Sequence, residues 1–217
     1  MTTSLDPPPT AASEVALAPA ATDRWVGPAA VGAAVGGLAL KAFVAFRGYF
    51  LVDDFLFQGR AARLPFLTNL TQEHAGHLMP GGMLVAWIST EAAPLNHTFA
   101  VLVTLGAVAV SYAVCWRALC TLVGRRPAAL GPFLVYCLTP LLLPATVWWA
   151  AALNALPLQI AAWIAVDHYV RYRRTGAARD LAVTLAAVAG GLMFFEKAVL
   201  IPLMPVSYTH LTLPTKA

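Results

Sequence analysis

Charge is scarce in this sequence. Only 11% of its 217 residues are Asp, Glu, Lys or Arg, against about 25% in an ordinary soluble domain. Long apolar runs fill the gap, and 59% of the residues are hydrophobic. That balance argues against a water-soluble globule and for a polytopic membrane protein. Cysteine is scarce too. Cys115, Cys120 and Cys137 all lie inside apolar runs. They lack the short paired spacing of a zinc site, and three thiols cannot all pair, so they read as small packing residues. A basic patch interleaved with aromatics is missing, which argues against nucleic-acid binding. Apart from Arg24, no basic stretch precedes the first apolar run. That run therefore reads as a retained anchor and not as a signal peptide.

The expected fold is all-α and transmembrane, with about five membrane-spanning helices. Residues 1–24 are rich in Pro, Ala, Thr and Ser without apolar periodicity, and read as a disordered cytoplasmic tail. Residues 25–205 form the membrane domain. Its first span covers 26–46, about 21 residues at 1.5 Å each, or ~31 Å. Lys41 near its far end is expected to snorkel outward. Further spans are expected over 98–123, 128–143, 150–166 and 181–203. The segment 47–96 is of mixed polarity. It is expected to hold a short amphipathic helix opening on an Asp N-cap. An interfacial or re-entrant helix over 84–92 should follow, after an interruption at Pro80, Gly81 and Gly82. The last stretch, 206–217, breaks the alanine- and valine-rich style of everything before it. It looks like translated sequencing-adapter read-through, so the native chain is expected to continue past Pro205.

Basic residues set the direction. With the N-terminus inside, Arg24, Arg125, Arg126, Arg171, Arg173, Arg174 and Arg179 all become cytoplasmic, as the positive-inside rule asks. The first long loop then lies outside a multi-pass protein of the cell membrane. Trp148 and Trp149 fall at the same outer boundary, where indoles favour the interface.

That loop opens on "YFLVDDF". Asp53 and Asp54 side by side are explained by solvation or by helix capping. At a partly desolvated rim they also suit chemistry. An Asp there can take a proton from an acceptor hydroxyl, or share a divalent metal cofactor through its oxygens. "HAGH" adds His74 and His77, which share a face if the segment is helical. Arg60, Arg63 and Glu73 fall in the same loop, so acids for proton transfer and cations for a phosphate are both at hand. "FFEKA" places Glu196 and Lys197 inside the expected fifth span, where ionisable residues usually face a cavity. Asn154 and Gln159 read as polar glue between helices. Asp167 and His168 beside Arg171 read as a surface ion pair.

The order of these parts resembles the polytopic GT-C class of glycosyltransferases. "GHLMPG", "WWAAALNALPLQ" and "FFEKA" are similar to segments of uncharacterised actinobacterial membrane proteins with this layout. The resemblance implies sugar transfer from a polyprenyl-phosphate donor to a cell-envelope acceptor at the outer face. It implies that an Asp of the first outer loop, Asp54 in preference to Asp53, is the base or a metal ligand. Arg60, Arg63, His74, His77, Glu196 and Lys197 are the candidate substrate-binding residues. Members of the class have roughly twice this number of spans. The competing expectation is a transporter or flippase subunit that uses Glu196, Lys197 and the Pro-broken spans as a substrate path, or a membrane protein without catalysis.

Overall fold

The computed structural model describes residues 24–203. The expected tail over 1–24, but for Arg24, and the expected non-native end over 206–217 lie outside these residues. Among the described residues every regular element is helical. The α-helices are α1 (Val26–Ala45), α2 (Val52–Arg63), α3 (Phe66–Leu70), α4 (Pro80–Ala92), α5 (His97–Val123), α6 (Pro127–Leu138), α7 (Pro144–Val147), α8 (Trp149–Thr175) and α9 (Ala178–Leu192). Two 3-10 turns, Pro140–Leu142 and Glu196–Leu200, interrupt the pattern.

Three of these helices, α1, α5 and α8, are long and apolar enough to cross a membrane. A fourth crossing is available if α6 and α7, bent by 44° at their junction, count as one. The bend follows from sequence. Pro140 has no N–H and cannot continue the ladder of α6, which ends at Leu138. The freed Cys137 carbonyl is taken up from α1 and α5. The Lys41 ammonium donates to it at 2.7 Å and the Tyr112 hydroxyl at 2.8 Å. Lys41 therefore does not snorkel. It is 1% exposed and caps the end of a broken helix, where the dipole favours a cation. Gly37 makes this approach possible, since a β-carbon there would sit 2.8 Å from the same carbonyl.

The segment expected as a fifth span divides. α9 is 15 residues long and stops at Leu192. Phe195 is extended, and the 3-10 turn with Glu196 and Lys197 follows. These two residues thus sit at a break and not along a helix. α4 also differs from expectation. Pro80 does not interrupt it but begins it, at a position where proline's missing N–H costs nothing.

Packing runs along the bundle in two main seams. Val26, Ala30, Tyr112, Cys115, Phe133 and Leu156 join α1, α5, α6 and α8. Phe50, Phe57, Met83, Ala100, Trp149 and Leu153 form a second core, where α2 and α4 cover the ends of α5 and α8. Trp149 is buried there, while Trp148 is exposed. Ser111, Tyr136 and Gln159 make a hydrogen-bonded chain across α5, α6 and α8, so Gln159 serves as glue. Asn154 does not. Its buried Oδ1 has no partner among the described residues and lies beside Gly82.

Candidate functional site

The end of the bundle covered by α2 and α4 gathers most of the ionisable residues expected to carry chemistry. The adjacent aspartates are separated by one step of a helix. Asp53 occupies the second helical position of α2 and Asp54 the third. Neither is the N-cap, which is Leu51. A third-position carboxylate can reach back to the cap's N–H. Asp54 does so, its Oδ2 accepting from the Leu51 amide at 2.8 Å. Its Oδ1 accepts at 2.6 Å from the Ala150 amide, in the first turn of α8. One carboxylate thus neutralises the positive ends of two helices. Asp54 is 0% exposed. Burial pushes its carboxyl above the usual carboxylate range, and the backbone N–H groups pull it part of the way back.

Asp53 points elsewhere. Its side chain is 27% exposed, and its Oδ2 lies 3.7 Å from His74 Nε2. That is an ion-pair distance and too long for a hydrogen bond. The histidine segment is a tight hairpin and not a helix. His74 and His77 exchange backbone hydrogen bonds at 3.0 and 2.9 Å. Ala75 and Gly76 both have positive φ, 51° and 81°, the mark of a type I′ turn. Directly opposed residues of an antiparallel pair share a face, so the two imidazoles still lie on one side. His74 packs its ring edge-on against Phe57, with centroids 4.8 Å apart.

His77 meets the other end of the chain. Its Nδ1 lies 2.6 Å from Glu196 Oε1. The two atoms do not meet hydrogen-bond geometry, and the contact becomes an ion pair only when the imidazole carries a proton. The ring rests against Phe195, and Lys197 Nζ stands 4.7 Å above that same phenyl ring. What brings Glu196 here is a joint between two helix ends. The Gly81 amide, an unpaired donor of the first turn of α4, donates to the Met193 carbonyl just past α9, at 2.7 Å. A β-carbon on Gly81 would meet that oxygen and the Phe194 ring at 2.9 Å, so only glycine permits the approach.

Arg60 lies on the Asp53 side of α2 and donates to the Glu73 carbonyl at 3.4 Å. With Arg63 it lines an open cleft of about 390 Å³ along α2, together with Phe55, Leu56 and Leu64 of the same helix and its cap. Two cations beside exposed apolar side chains suit the head of an anionic lipid.

A divalent metal on the aspartate pair fits poorly. Both Asp54 oxygens already accept backbone N–H groups, and no three His, Cys, Asp or Glu side chains among the described residues converge on one point.

The opposite end holds a network only partly anticipated by the sequence. Asp167 receives Arg117 Nε at 2.5 Å, Arg171 Nε at 2.9 Å and the Thr121 hydroxyl at 2.5 Å. His168 joins Arg117 to Asp180, at 2.7 Å on each ring nitrogen. This is no surface pair, because Asp167 is only 2% exposed and the network ties α5, α8 and α9 together. Arg117 and Thr121, four residues apart on an apolar helix, are the signal for it in the sequence. No protein-family model, curated protein or solved structure matches the chain.

Proposed function

We propose that this protein is a membrane-embedded glycosyltransferase of the GT-C type. It transfers a sugar from a polyprenyl-phosphate donor to a cell-envelope hydroxyl at the outer face of the cell membrane. The observation that supports this reading is the pairing of two partly exposed acids, Asp53 and Glu196, with the two imidazoles of one hairpin. In this reading the N-terminus is cytoplasmic, the chain crosses at α1, α5, α6–α7 and α8, and α9 with the turn after it completes a fifth crossing. The base is Asp53 and not Asp54, because the oxygens of Asp54 are buried and engaged by backbone donors.

The chemistry is a single displacement. Asp53 takes the proton of the acceptor hydroxyl, and His74 beside it steadies the carboxylate. The hydroxyl oxygen forms the new bond to the sugar's anomeric carbon. The bond from that carbon to the donor phosphate breaks, and polyprenyl phosphate leaves with the electron pair. Arg60 and Arg63 stabilise the charge on the departing phosphate. Phe55 and Leu56 guide the prenyl chain back into the bilayer. His77 and Glu196 orient the sugar.

The test is transfer of labelled sugar in vesicles from a panel of polyprenyl-phosphate hexoses and pentoses. Asp53→Asn is expected to lower product formation on the order of 100-fold or more, with its thermal unfolding unchanged. Absence of product from every donor, together with loss of solute movement in Glu196→Gln, would replace this reading with transport. Asp53→Cys should also react with an impermeant thiol reagent in intact cells. Labelling only after permeabilisation would overturn the outer placement.

A further inference from the structure

A groove of about 370 Å³ opens on the flank of the bundle between α1, α5 and α6, away from the imidazole hairpin. Its floor includes Ala30 and Phe133, both buried. Small residues, Gly27 and Ala34 on α1 and Ala113 on α5, give it depth. Arg125, in the short connection between α5 and α6, closes one end. Its guanidinium lies over Gly27, where a β-carbon would collide with it.

Arg125 forms no ion pair with a carboxylate among the described residues. The described acids of this end are occupied elsewhere, Asp167 by Arg117 and Arg171, and Asp180 by His168. The N-terminus of α1, which begins at Val26, adds its own partial positive charge to the same spot. An apolar channel thus runs along candidate membrane spans and ends in a cation that no carboxylate among the described residues neutralises. The occupant must be apolar along its length and anionic at its head. A phospholipid meets both requirements, with a hydrocarbon chain against Val31, Val35, Leu38 and Ala109 and a phosphate for Arg125.

We propose that this groove is a binding site for one anionic phospholipid, with an acyl chain along α1 and the phosphate on Arg125. The site rests on the membrane placement of α1, α5 and α6 and not on sugar transfer. It would survive the failure of the reading above.

The experiment is native mass spectrometry of the full chain in mild detergent, titrated with phosphatidylglycerol and with phosphatidylcholine of matched chains. The wild type is expected to retain one phosphatidylglycerol about tenfold more tightly than phosphatidylcholine. Arg125→Gln should remove that preference. Ala113→Trp, which fills the groove from an exposed position, should weaken both lipids. Circular dichroism and thermal unfolding confirm that each variant is folded. Unchanged phosphatidylglycerol retention in both folded variants overturns the site. So does a change of oligomeric mass in Ala113→Trp, which would assign the groove to a second copy of the chain.

Discussion

The two ends of the bundle use their acids in opposite ways. At the end that carries Arg117 and Arg171, Asp167 is enclosed by two guanidinium groups and a hydroxyl, and Asp180 receives His168. Both carboxylates are spent on holding helices together. At the other end one acid, Asp54, is equally engaged, by backbone amides of α2 and α8. Its neighbour Asp53 and the distant Glu196 each meet a single imidazole among the described residues and are otherwise partly exposed. A saturated carboxylate is part of the framework, and an unsaturated one is free to exchange a proton with a substrate. The difference between Asp53 and Asp54 is a single residue of helical rotation.

The contrast is broken most severely at Asp167. Asp167→Ala removes three charge-assisted hydrogen bonds from the half-exposed Arg117 and Arg171 and from Thr121, and is expected to lower stability by about 3 kcal/mol. Thermal unfolding in detergent measures it. Asp54→Ala removes two charge-assisted hydrogen bonds and is expected to cost about 2–3 kcal/mol. A loss as small as that of Asp53→Ala would show that the two neighbours do not differ in role. The pH dependence is a smaller effect with a definite sign. The folded Asp54 carboxyl holds its proton above its ordinary value of 3.8. In the window just above 3.8 the folded state therefore binds more protons than the unfolded chain. Stability falls as pH rises through that window and levels off beyond the folded value. Asp54→Asn should flatten this slope relative to the wild type. Asp53→Asn should shift stability by no more than about 0.5 kcal/mol at any pH, as surface changes do.

Apolar length makes α1, α5 and α8 legible in the sequence itself, because a run of about 20 hydrophobic residues admits few alternatives. The roles of Asp53 and Asp54 are half legible. A third-position acid that reaches back to the cap is a local rule, but the second partner of Asp54, the Ala150 amide, comes from a helix far along the chain. The histidine hairpin is hidden by Ala75, whose positive φ gives no sequence signal as a glycine would. The end of α9 is hidden by its hydrophobicity. Nothing in "GGLMFFEKA" announces that the Met193 carbonyl will be claimed by Gly81. Lys41 misleads for a related reason, since its acceptor exists only because Pro140 breaks α6 on the far side of a tertiary contact.

The bond from Gly81 to Met193 also has a mechanical meaning. It joins the start of α4, and with it the imidazole hairpin, to the end of α9. The spacing between His77 and Glu196 is thereby fixed by one backbone contact. Gly81→Ala would push that contact apart while leaving every ionisable group in the chain unchanged.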